Sequence, residues 1–270
     1  MTSDEFEQLK NWFYDYTGKF ISDVSDPAPY MLKREHTLRV CNNIDMLSGS
    51  LRLEETERVL ARTAALVHDI GRFTQFKVYG TFSDPLSKNH AALGVGVLTK
   101  QKFPFPLPAV EKRLILKTIA LHNRPYLPST LSPDLLQLAR MLRDADKIDI
   151  YKVMTDLYRN HHNTAQNYIT HNLPDDKQVP PELVEQIIAG NAVHYNQVNS
   201  LNGIKLFQLS MIFDLNFPTA FESIQKQDVV GAILGSMPTF PRLEDLEQGM
   251  TKYISDRIKK TALLTSHATS

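Results

Sequence analysis

Apolar residues recur along this chain at steps of three and four, and strict alternation over the length of a strand is rare, so the pattern predicts helices almost throughout. Phe6, Leu9, Phe13, Tyr16 and Phe20 form the first such stripe, with Thr2 and Ser3 ahead of it as candidate caps. Further helices are expected over residues 31–48, 54–70, 86–101, 108–123, 133–159, 181–198, 203–213 and 241–260. Between them stand Pro27 and Pro29, Gly71 read as a helix stop, FPFPLP at 103–108, RPYLPSTLSP at 124–133 and LPDDKQVPP at 173–181. The fold class is all-α: a helical core over residues 1–160 and a C-terminal helical extension over 161–270 packed on it as one unit. The polar, His- and Asn-rich stretch between 159 and 181 marks the boundary.

Composition narrows the function. Of 270 residues 42% are hydrophobic and 22% charged, the balance of a folded globular protein. Thirty basic residues match thirty acidic ones, so the field that gathers nucleic acid or coats an anionic membrane is missing. The N-terminal segment carries acids where a secretory signal carries positive charge, and no apolar run approaches the ~20 residues of a membrane span. A cytoplasmic protein without nucleic-acid or membrane partners is expected. Cys41 is the single cysteine, which excludes an intrachain disulfide and a thiolate zinc cluster.

Three histidines interrupt apolar helix faces. His36 follows Leu32 and precedes Val40 by four residues each; His68 ends the run VLARTAALVH with Asp69 beside it; His122 follows Ile115, Thr118 and Ile119. Asp146 shares a face with Leu138, Leu142 and Ile150. A buried carboxylate costs several kcal/mol unless compensated. One inward histidine is ordinarily a hydrogen-bonded core residue, but three with an inward Asp and an adjacent His-Asp pair compensate one another by sharing a metal such as Fe, Mn, Co, Ni or Zn. No GxSxG elbow, nucleophilic Cys context or GxxxxGK[ST] loop offers a competing chemistry.

The order His36, His68-Asp69, Asp146, with HTLRV, AALVHDIG and DADKIDIY around them, resembles the HD superfamily of metal-dependent phosphohydrolases over residues 30 to about 155. His90, opening NHAALGVGVL, and His122, closing LKTIALH, complete the H, HD, H, H, D order of the superfamily's two-metal branch. That resemblance implies two divalent ions, Mg also being admitted. His36, His68, Asp69 and Asp146 would hold one, and Asp69, His90 and His122 the other, with a bridging hydroxide attacking a small phosphoester, for example a nucleotide. It also implies Arg72, three residues past Asp69, as substrate clamp or electrostatic stabiliser, with Arg124 and Lys147 as weaker substrate-binding candidates and surface charges as their plain alternative. Asp144 and Asp149 are read as supporting or surface acids, and His161, His162, His171 and His194 as polar surface residues. Relatives with the same six ligands include mixed-valent di-iron oxygenases, the alternative enzyme, and degenerate members serve as scaffolds. HNRPYLP stands where cyclic dinucleotide phosphodiesterases carry GYP, so cyclic di-GMP is not indicated.

Overall fold

The computed structural model describes residues 1–22, 24–100, 103, 107–159, 173–175 and 177–266, side chains to 260. The described residues form helices and short 3-10 turns without a strand, as the apolar spacing predicts. The chain divides into two compact units, Met1–Asp149 and Ile150–Ser270, so the division falls inside a helix rather than in the polar stretch that follows it.

In the first unit, α1 (Ser3–Ile21) opens on a capping box: the Thr2 side chain accepts from the Glu5 amide, and the Glu5 carboxylate accepts from the Thr2 amide. It lays Phe6, Leu9, Phe13 and Tyr16 into the core, and Phe73 meets Phe13 edge to face with ring centroids 6.3 Å apart. Then follow α2 (Ala28–Ser50), α3 (Glu55–Val67), α4 (Ile70–Tyr79), α5 (His90–Lys100), α6 (Ala109–His122) and α7 (Pro133–Arg159).

The expected stop at Gly71 is corrected by α4, which begins one residue before it. A Cβ added to Gly71 would lie 2.2 Å from the His90 carbonyl oxygen and 2.4 Å from the Gly94 nitrogen. The glycine is there because α4 and α5 touch backbone to backbone, not because a helix ends. The actual stop is Gly80, in the left-handed region at φ 65°.

The second unit begins with the last turns of α7 and continues through α8 (Pro181–Ile188), α9 (Leu201–Ser210), α10 (Pro218–Lys226), α11 (Val229–Gly235) and α12 (Leu243–Ser266). The helix expected over 181–198 ends ten residues early, where Gly190 turns the chain at φ 80°. The pattern did not predict α10 and α11. Tyr151 donates to the Gln208 carbonyl at 2.9 Å, and Tyr158 donates to the Gln208 side chain, so α7 and α9 are joined by polar contacts inside this unit. No helix among the described residues is long and apolar enough to cross a membrane.

Cys41 lies in the first unit's core, and burial pushes its thiol up to about 12. Raised values favour the neutral thiol in the fold. The resulting stability is complete below the pKa of an unfolded thiol and is lost as pH climbs toward about 12. At pH 8 the native protein is therefore expected to react with Ellman's reagent only through unfolding. Fast stoichiometric labelling without denaturant would contradict this.

Candidate metal centre

Seven side chains from five helical segments of the first unit meet at one place. α2 supplies His36 and Lys33. The turn between α3 and α4 supplies His68 and Asp69; α5, α6 and α7 supply His90, His122 and Asp146. His68 is fully buried, and His36, Asp69, His90 and His122 are each at most 5% exposed.

Each imidazole is tied from behind through Nδ1. His68 donates to the Ala65 carbonyl and His122 to the Ile119 carbonyl, both at 2.7 Å. His36 donates to Asp149 Oδ2 at 2.7 Å, and His90 to Asp84 Oδ2 at 2.8 Å. Carbonyl and carboxylate oxygens only accept, so Nδ1 carries the proton in every ring and Nε2 is turned inward. His36 Nε2 lies 3.1 Å from Asp146 Oδ1. His90 Nε2 and His122 Nε2 face one another at 3.0 Å, a spacing at which two lone pairs repel unless a proton or a metal ion lies between them. His68 Nε2 is buried with no hydrogen-bond partner among the described residues. A buried nitrogen left bare costs ~1–3 kcal/mol, and a metal bond removes the cost.

Asp69 divides its carboxylate. Oδ2 lies 3.7 Å from His36 Nε2 and 3.8 Å from His68 Nε2; Oδ1 lies 3.5 Å from His90 Nε2 and 3.8 Å from His122 Nε2. Among the described residues, His36, His68 and Asp146 form one group with ligand atoms within 4.8 Å of one another, and His68, Asp69 and His122 form a second. The donor set is imidazole and carboxylate, the set that borderline divalent metals take.

Electrostatics prepares these groups as ligands. Burial disfavours charge on His122 and the neighbouring His90 and His68 add to it, so its pKa falls to about 3 and the ring is neutral at ordinary pH. His68 and His90 are lowered mainly by burial as well. Burial opposes ionisation of Asp69, but Lys33, His68 and Arg72 outweigh it and hold the carboxyl well below its usual range. His36 differs: against burial, its bonds to Asp146 and Asp149 raise it, so this ring takes its second proton at higher pH than a free imidazole and binding there weakens in acid.

The supports behind the histidines are elaborate. Asp149 takes a two-pronged contact from Arg39 at 2.6 and 3.0 Å, which makes it the supporting acid the sequence allowed for. Asp84 also accepts from Gln75 at 2.8 Å, Asn123 at 3.1 Å and Arg72 at 3.2 Å. Burial works against the charge on Asp84, yet His90 and then Arg72 bring its pKa down to about 2. Arg143 of α7 donates to the carbonyls of His122 at 3.0 Å and Leu121 at 3.3 Å, closing the C-terminus of α6 and fixing His122, its last residue. Replacing Asp84 by Ala is expected to free His90 and weaken metal binding about 10- to 100-fold, read by titration with Mn while helicity is unchanged. Undiminished affinity would show that His90 needs no such anchor.

The expected substrate cations lie as follows. Arg72 has its guanidinium committed to Gln75, the Phe82 carbonyl, Asp84 and, at 3.5 Å, Asp69, so it braces the site from inside the protein. Lys147 is buried at 8% exposure, not a surface charge. Arg124 is exposed just past the end of α6. Asp144 is fully buried. His194 is exposed; His161, His162 and His171 lie outside the described residues. Sequence reading did not single out Lys33, whose Nζ stands 3.0 Å from Asp69 Oδ2, nor Asp84 or Arg143. For Lys33 a signal existed, since it precedes His36 by three residues and shares its helix face.

Residues 34–151 match the family model described as HD domain. No curated protein and no solved structure matches the chain.

Proposed function

The chain carries an HD domain over residues 34–151, and from this premise we propose that it is a metal-dependent phosphohydrolase cleaving a small phosphoester. His36, His68, Asp69, His90, His122 and Asp146 hold its ions. The observation that carries the reading is the convergence of four Nε2 atoms on Asp69 and Asp146, each ring tied outward through Nδ1. The split carboxylate supports two ions: Asp69 shared, His36, His68 and Asp146 on its Oδ2 side, His90 and His122 on its Oδ1 side.

Bound divalent ions supply Lewis acidity, lowering the pKa of water toward neutrality and neutralising charge on a phosphoryl group. The protein's own part is to keep four imidazoles neutral or readily deprotonated, to fix their orientation, and to surround them with apolar core that strengthens every charge interaction. HD domains are in general metal-dependent hydrolases, which weighs for hydrolysis and against the di-iron oxygenase.

The test is elemental analysis of the purified protein followed by a panel of phosphomonoesters and phosphodiesters with Mn, Ni or Mg. Release of phosphate or a nucleotide is expected. A metal-loaded protein inert toward every phosphoester would overturn the reading.

A further inference from the structure

We infer that Lys33 contacts the substrate and that the group it contacts is a terminal, dianionic phosphoryl group. This inference rests on the hydrolase reading above. Lys33 Nζ lies 3.0 Å from Asp69 Oδ2 and 5.4 Å from the centroid of the Phe82 ring, and its side chain is 19% exposed against 4% for Asp69. The ammonium therefore stands at the carboxylate that divides the site, on a side chain that is partly open to solvent.

The arginines near the site are engaged elsewhere. Arg72 is bound to Gln75, the Phe82 carbonyl and Asp84 and meets Asp69 Oδ1 only at 3.5 Å; Arg39 grips Asp149; Arg143 closes α6. Each neutralises or caps something behind the ligands. Lys33 instead has Asp69 as its one hydrogen-bond acceptor among the described residues, a carboxylate it shares with the proposed ions, and that creates a conflict once they bind. Two divalent ions bring four formal positive charges against the two carboxylates of Asp69 and Asp146, and Lys33 adds a fifth beside them. Asp69 oxygen engaged by an ion is a poor partner for an ammonium next to that ion.

An arriving anion resolves the conflict. A phosphomonoester brings two negative charges and three terminal oxygens, enough to engage the ions and Lys33 together. A phosphodiester has one negative charge and two such oxygens, and leaves two positive charges uncompensated where the monoester leaves one. A flexible ammonium on a four-carbon stem is suited to move from Asp69 to a phosphoryl oxygen within a few ångströms.

The experiment uses the full chain loaded with Mn and titrated with inorganic phosphate, metal content being measured on the same samples. Lys33→Met keeps most of the length of the stem and removes the charge. It is expected to retain wild-type metal and to bind phosphate about 10- to 100-fold more weakly, with Lys33→Arg recovering part of the loss. With p-nitrophenyl phosphate and its bis ester as paired substrates, kcat/KM should fall further for the monoester than for the diester. Unchanged phosphate affinity at full metal content overturns the inference, as does loss of metal in Lys33→Met or an equal fall for both esters, since Lys33 would then only support Asp69. If the wild-type chain takes up no metal, the hydrolase reading itself fails, visibly, before any phosphate is added.

Discussion

Asp69→Ala is expected to empty the proposed centre of metal and to lower phosphoester turnover by about a thousandfold or more, because in the proposed function this one residue serves both halves of the cluster. Its oxygens face His36 and His68 on one side and His90 and His122 on the other. Removing them leaves Lys33 and Arg72 beside a site short of one negative charge, which repels a divalent ion instead of attracting it. Asp69→Asn keeps the shape and discards the charge, so it should share the defect. Metal stoichiometry, helicity by circular dichroism and turnover distinguish the outcomes. Wild-type activity with full metal in either variant would exclude Asp69 as the shared ligand.

Gly71→Ala, a change of one methyl group away from every ligand atom, is expected to cost about 3 kcal/mol and to disable the centre as well. The new Cβ would sit 2.2 Å from the His90 carbonyl oxygen and 2.4 Å from the Gly94 nitrogen, and both are backbone atoms that no rotamer change can move. α4 and α5 must part, and His90 opens α5. A ligand displaced by ~1 Å loses activity on the order of a hundredfold. Gly96 in the same helix is the control: nothing lies within 4 Å of its added Cβ, so Gly96→Ala should stabilise by roughly 0.5–1 kcal/mol through reduced freedom of the unfolded chain. Thermal unfolding of the two variants beside wild type reads both effects. A tolerated Gly71→Ala would mean that the close contact of α4 and α5 is relaxed in solution.

The same glycine shows where sequence reading stops. Apolar spacing was enough for the long helices, and α7 runs from Pro133 to Arg159 as its stripe predicts. A glycine next to the His-Asp pair looked like a local stop, however, and its reason lies in another helix. α10 and α11 are nine and seven residues long, too short to show a period, and are parted by Asp228 at φ 53°.

The site divides along the same line. His36, His68, His122 and Asp146 were conspicuous as polar groups on apolar faces, and the structure buries the three histidines together. His90 stood out only through its resemblance to the family pattern. Asp84, Arg143 and Lys33 sit among ordinary charged neighbours, and what distinguishes them is a partner elsewhere in the chain: Lys33 meets Asp69 across 36 positions. No periodicity encodes such a pairing.

The four imidazoles are held by two kinds of anchor. His68 and His122 lean on main-chain carbonyls, which no substitution of the anchoring residue removes, whereas His36 and His90 lean on the carboxylates of Asp149 and Asp84. Half of the centre is thus insulated from point mutation and half is open to it. If the centre holds metal as proposed, natural variation or protein engineering would adjust ion preference through Asp149 and Asp84, one dial for each side of Asp69, while the other two rings stay put as a fixed frame.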